Sequence, residues 1–113
     1  MAGGFVYNAI DQTEVATAEI YGKALADIIL KDPKVVAITA DLAKSTKLGD
    51  VLKVCPERVI NVGIAEQDMF GVAAGMARAG CIPFLSGFSA FTSMRACDQL
   101  HTDICYQNVN AKI

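Results

Sequence analysis

Glu66 is the residue of this sequence best placed to do chemistry. It follows Asn61-Val62-Gly63-Ile64-Ala65, where a strand ends and the backbone turns at Gly63. It then opens a helix that runs on through Gln67-Asp68-Met69-Phe70-Gly71-Val72-Ala73-Ala74-Gly75-Met76-Ala77. Position alone makes Glu66 a first-turn acid that complements the helix dipole, an effect worth about 0.3–1 kcal/mol. Its helix offers a second reading. Gly71, Ala73, Ala74, Gly75, Ala77 and Ala79 let another backbone approach closely, either another helix or a symmetric copy of the same one. Burial against such a neighbour raises a carboxyl pKa, so Glu66 is expected to be a proton donor rather than a surface charge.

Two further groups fall at the ends of predicted strands. Phe88 and Phe91, in Phe88-Ser89-Ala90-Phe91, are either core residues or a flat apolar surface on which a planar ring can stack. Asp41, Leu42, Ser45 and Thr46 lie in a polar loop; Asp41 suits a turn or a cap, and the two hydroxyls suit a ligand. Asp98 and His101 stand one helical turn apart, but no third ligand has a sensible spacing, so they read as a surface pair and no metal site is expected. No Gly-x-Gly-x-x-Gly or phosphate-loop pattern is present.

The elements that position these residues follow from periodicity. Residues 1–12 show no clear period and are expected to form a tail, leaving 13–113 as one domain. Thr13 or Thr17 is expected to cap a first helix with Ile20, Ala24, Leu25, Ile28 and Ile29 on one face, stopped at Lys31-Asp32-Pro33. Val35-Val36-Ala37-Ile38-Thr39 is a short β-branched run, as expected of a buried parallel strand. Leu48–Cys55 predicts a short helix before Pro56, Val59-Ile60-Asn61 a strand, and Glu66 to about Ala79 a helix stopped by Gly80. Ile82-Pro83-Phe84-Leu85-Ser86 predicts a third strand, about Ser93–Tyr106 a last helix, and Val109–Ile113 the start of another strand, so that a longer parent chain is expected. The alternation implies an α/β fold: a parallel, doubly wound sheet with helices on both faces. In such sheets ligands sit outside the C-terminal strand ends, where all three post-strand loops converge.

With 113 residues, 53% of them hydrophobic and 19% charged, the composition fits one globular domain and excludes a disordered chain. A net charge of -2 without a basic stripe argues against a nucleic-acid surface. No apolar run reaches membrane-spanning length, because Asp27, Lys31, Asp68 and Arg78 interrupt the most apolar stretches. The N-terminus lacks the basic and apolar regions of a secretory signal. Cys55, Cys81, Cys97 and Cys105 form no Cys-x-x-Cys pair and are expected to be reduced, mostly buried thiols of a cytoplasmic protein.

The segment from Asn61 to Ala77 resembles the hallmark of the transketolase family of thiamine-diphosphate enzymes, whose Val-Gly-Ile-Ala-Glu-Gln stretch carries an essential glutamate. Glu19-Ile20-Tyr21-Gly22-Lys23-Ala24-Leu25 resembles the family's opening helix, and Ala40-Asp41-Leu42 through Ser45-Thr46 its first loop. Ile82-Pro83-Phe84 through Phe91, then Arg95-Ala96-Cys97-Asp98-Gln99, resembles its third strand and last helix. The resemblance covers residues 17–113 and implies a pyrimidine-binding domain similar to part of the C-terminal subunit of split transketolases. It implies that Glu66 is catalytic, hydrogen-bonding N1′ of the cofactor's aminopyrimidine, and that Asp41, Leu42, Ile64, Phe88 and Phe91 complete the cofactor-binding set. It further implies that Ser45 lies near substrate, and that Met94 stands where a third aromatic is often found. Ala18 stands where many members carry a phosphate-gripping arginine, which removes one bidentate anchor for a sugar phosphate.

By the same resemblance the cofactor is thiamine diphosphate, with Mg²⁺ held by a partner chain or domain, and the reaction is transfer of a two-carbon ketol unit between ketose and aldose substrates. The implied assembly is a homodimer, or a heterotetramer with a diphosphate-binding transketolase subunit, with the fragment alone inactive. A deoxyxylulose-phosphate-synthase-like enzyme and a non-catalytic dimerisation module of the same fold are the alternatives.

Overall fold

The five residues Val35–Thr39 form the central strand β1, buried at every position, in a computed structural model that describes residues 16–113. The expected tail 1–12 and the candidate cap Thr13 lie outside the described residues. Strand β2 (Val59–Asn61) pairs with β1 in parallel on one side, and β3 (Ile82–Ser86) pairs in parallel on the other. The order β2-β1-β3 places the reversal of strand order beside β1, the location at which open α/β sheets take ligands. Beyond β3, Phe84 and Lys112 form a parallel bridge, so the expected last strand begins there with a single pairing.

Each strand alternates its side chains between two apolar layers. Val35, Ala37, Val59, Ile82 and Phe84 face helices α1 (Thr17–Lys31) and α2 (Gly49–Val54), packing with Leu25, Ile29, Leu48 and Val51. Ile38, Ile60 and Leu85 face helix α3 (Glu66–Arg78) and the last helical segment, packing with Met69, Phe70, Ala73, Ala96 and Ile104. Helices on both faces make the sheet doubly wound, as expected. Helix α1 lies so close to the loop after β1 that a Cβ at Gly22 would stand 2.1 Å from the carbonyl oxygen of Lys47.

Three local expectations are corrected. Thr17 is the first helical residue rather than the cap; Ala16 holds the cap position, with no side-chain hydrogen bond. The last helix is not one α-helix starting at Ser93. It has π-helical turns at Phe91–Arg95 and Leu100–Cys105, separated by the short α-helical turn α4 (Cys97–Gln99). All four cysteines are free, but only Cys55 is buried; Cys97 and Cys105 are exposed. No described helix is long and apolar enough to cross a membrane.

Candidate functional site

Asn61 ends β2 and ties two loops together. Its Oδ1 accepts hydrogen bonds from the backbone N–H of Asp41 (2.9 Å) and of Gly63 (3.0 Å), while its Nδ2 donates to Oδ1 of Asp41 at 3.1 Å. Asp41 is thereby held at φ 60°, and Gly63 turns the chain at φ 78°, a conformation open to glycine without a Cβ clash. Leu42 is fixed one residue on, its N–H donating to Thr39 Oγ1 at 3.2 Å and its carbonyl accepting from Thr46 Oγ1 at 2.9 Å. The loops after β1 and β2 are therefore one hydrogen-bonded unit.

The turn at Gly63 delivers Glu66 to the start of α3, where its side chain is 2% exposed. Arg95, at the end of the first π-helical turn, donates from Nη1 to Glu66 Oε2 at 2.9 Å. The guanidinium also lies over the Phe91 ring, with Cζ 4.2 Å from its centroid. The expected proton donor is corrected by this pair. Burial pushes the Glu66 carboxyl up, but the Arg95 hydrogen bond, the residue's own backbone N–H and the guanidinium charge outweigh it, holding the group below its ordinary value. In this arrangement Glu66 is a carboxylate.

Phe88 and Phe91 belong to neither apolar layer. Their ring centroids are 5.9 Å apart at 40°, and Phe88 is 46% exposed, so the pair forms an accessible aromatic surface rather than core. Phe88 also borders a cavity of about 600 Å³ whose wall includes Thr17, Ala18, Tyr21, Ser45, Thr46 and Ser86. Tyr21 and Ser86 share a 2.7 Å hydrogen bond across it, and burial pushes the Tyr21 phenol up, keeping it neutral.

The candidate residues thus fall into neighbouring groups. Glu66, Phe91 and Phe88 form a chain of contacts through Arg95, Ser45 shares the cavity wall with Phe88, and Asp41 and Leu42 sit in the clamped loop. Ile64 projects from the β2–α3 turn at 79% exposure and Met94 is 78% exposed; both are open apolar surface. Asp98 and His101 are exposed, as expected of a surface pair. Asn61 and Arg95 stand in segments that the sequence singles out, but their roles rest on side-chain contacts spanning 20 and 29 residues.

Over residues 13–113 the chain matches the family described as "Transketolase, pyrimidine binding domain". The chain belongs to this family. It is 40% identical over 95 residues to the 6-deoxy-6-sulfo-D-fructose transketolase subunit SqwH of Clostridium sp. (strain MSTE9), covering 84% of this chain and 30% of that protein. It is 42% identical over 92 residues to 1-deoxy-D-xylulose-5-phosphate synthase of Caldanaerobacter subterraneus subsp. tengcongensis, covering 81% of this chain and 15% of that one. A solved structure described as split gene transketolase, inactive beta4 tetramer, superposes with a TM-score of 0.78 at 48% identity, covering 86% of this chain and 32% of that one. The chain spans about a third or less of the length of these relatives.

Proposed function

We propose that this chain is the pyrimidine-binding part of a transketolase-like enzyme that transfers a two-carbon ketol unit with thiamine diphosphate in the cytoplasm. The observation that carries this reading is one cluster: a buried carboxylate at the start of α3, linked through Arg95 to an accessible aromatic pair. A planar aminopyrimidine needs a flat apolar surface and a carboxylate that shares a proton with a ring nitrogen, and these residues fit both needs. They do not fit the other end of the cofactor. Among the described residues, no group of three or more His, Cys, Asp or Glu is placed to hold a metal ion. The diphosphate and Mg²⁺ are therefore assigned to a partner chain or domain.

Thiamine diphosphate supplies, when bound, the nucleophilic carbon that accepts and passes on the two-carbon unit. This chain's residues do the rest of the work assigned here. Glu66 holds a proton at the ring nitrogen, Phe88 and Phe91 stack the ring, and Ile64, Asp41 and Leu42 border it from the two clamped loops. Ser45, with Thr17 and Tyr21, presents hydroxyls along the cavity where a ketose or aldose would lie. Ala18 lines that cavity in place of a guanidinium, and Lys112 is the one cationic lining residue among the described residues, so hydroxyl recognition is favoured over a bidentate phosphate grip. Assembly would use the outer face of α3, where Gly71 and Gly75 are exposed and a Cβ at Gly75 would meet no atom within 4 Å.

A second reading rests on the match to 1-deoxy-D-xylulose-5-phosphate synthases, which recurs at 39–43% identity. The test is reconstitution: mix the chain with diphosphate-binding transketolase subunits, add thiamine diphosphate and Mg²⁺, and assay ketol transfer beside 1-deoxy-D-xylulose 5-phosphate formation. Ketol transfer that requires this chain supports the leading reading. Deoxyxylulose phosphate alone supports the second, and association without either product would assign the chain a non-catalytic, interaction role.

A further inference from the structure

Arg95 fills the space between Phe91 and Glu66 in the manner of a bound ligand. A guanidinium is planar, carries N–H donors in its plane, and presents two flat faces. Here the guanidinium carbon lies over the Phe91 ring, 4.2 Å from its centroid, and one N–H donates to Glu66 Oε2 at 2.9 Å. An aminopyrimidine that shared a proton with the same carboxylate and stacked on the same ring would need the same volume. We propose that Arg95 is an internal stand-in for that ring, and that ligands reach Glu66 by exchange, the guanidinium leaving Phe91 and the carboxylate together. This rests on the proposed cofactor reading and adds a gate to it.

Three features suit Arg95 to leaving. Its side chain is 47% exposed, so it can swing into solvent without opening either apolar layer. Among the described residues, its side chain has no hydrogen-bond partner other than Glu66. It also ends a π-helical turn, closed by the Ala96 N–H to Phe91 carbonyl bond at 3.2 Å, and Ala96 then departs from helical backbone at φ -102°, ψ 24°. Such turns interrupt the regular ladder and recur where helices must adjust.

Exchange has a chemical consequence. Among the described residues, Arg95 is the charged side chain that holds Glu66 below its ordinary value; on α3 itself Asp68 is exposed, and on the last segment Asp103 packs near Gly71, further along the helix. Once the guanidinium leaves for a neutral ring, burial is the dominant influence on Glu66, and burial favours the protonated acid. The carboxylate of the closed arrangement becomes a proton donor as the ligand arrives, and a proton is taken up from solvent.

Isothermal titration of thiamine diphosphate into the chain assembled with its diphosphate-binding subunit, in phosphate and in Tris at one pH, counts that proton. Wild type is expected to take up close to one. Arg95→Leu is expected to bind about threefold to tenfold tighter, because no internal occupant competes, and to take up fewer protons. Arg95→Lys, which keeps the charge but not the plane, should fall between. Equal or weaker binding by Arg95→Leu with an unchanged proton count overturns the proposal. If no variant binds the cofactor, the cofactor reading fails. The exchange is then judged by the ¹³C titration of the Glu66 carboxyl without ligand: a rise in Arg95→Leu supports the pair as its controlling contact, and no rise overturns it.

Discussion

Asn61 and Glu66 set the site at the scale of single side chains. Asn61 satisfies two backbone N–H groups and one carboxylate across the loops after β1 and β2. Asn61→Ala is expected to cost about 1 kcal/mol, since the contacts are exposed, and to release Asp41 from its positive φ. Urea unfolding reads the first effect, and faster amide exchange at Asp41 and Gly63 the second. Glu66 gives a pH signature. Its carboxyl sits below its ordinary value of 4.5 in the folded chain, with burial opposing and Arg95 prevailing. A depressed carboxylate contributes stability that is full above the unfolded value and is lost as pH falls through the folded one. Stability should therefore decline below about pH 4.5, and Arg95→Leu should flatten that decline. Glu66 is buried within this chain rather than against the close neighbour expected at the small-residue face, where Gly71 and Gly75 are exposed; its place at the helix start was legible from the Gly63 turn. Its ionised state was not, because it depends on a cation 29 residues away that no local pattern pairs with it.

Elements carry those residues, and the closest approach between two of them is at Gly22. A methyl group there would meet the Lys47 carbonyl at 2.1 Å, a contact that only movement of α1 or of the loop can relieve. Gly22→Ala is expected to destabilise by about 2 kcal/mol despite alanine's better helix propensity, because backbone must shift. A lowered thermal midpoint checks this, and displaced Ser45 and Thr46 amide resonances would locate it. The strands β1, β2 and β3 were legible to the residue, since short β-branched or apolar runs between turn residues leave few alternatives. The last helix was legible as a helix but not in its winding. A π-helical turn bonds residue i to i+5, and side-chain spacing near four residues does not separate it from an α-helix. That winding sets Phe91 and Arg95 against Glu66, so it bears on the site directly.

The whole molecule is a two-faced sheet with its reversal point beside β1, clamped loops on one edge and an open helix surface next to them. The doubly wound layout followed from the alternation of helix and strand. The chain spans about a third or less of the length of its relatives, and the structure shows only its own contacts. If α3 docks against another chain through Gly71 and Gly75, Gly75→Leu should leave the fold intact, since a Cβ there meets nothing. It should weaken association at least about tenfold through steric overlap, which sedimentation velocity measures. Unchanged association would place the interface on another face.

The role proposed for Glu66 is to act on the cofactor within such an assembly. Its most direct measurement is kcat for ketol transfer by the reconstituted enzyme with wild type and Glu66→Gln, at saturating thiamine diphosphate and Mg²⁺. The amide keeps the size of the side chain but cannot hold or release the proton, so kcat should fall roughly 100-fold or more. A Gln variant that turns over as fast as wild type would contradict the role given to Glu66.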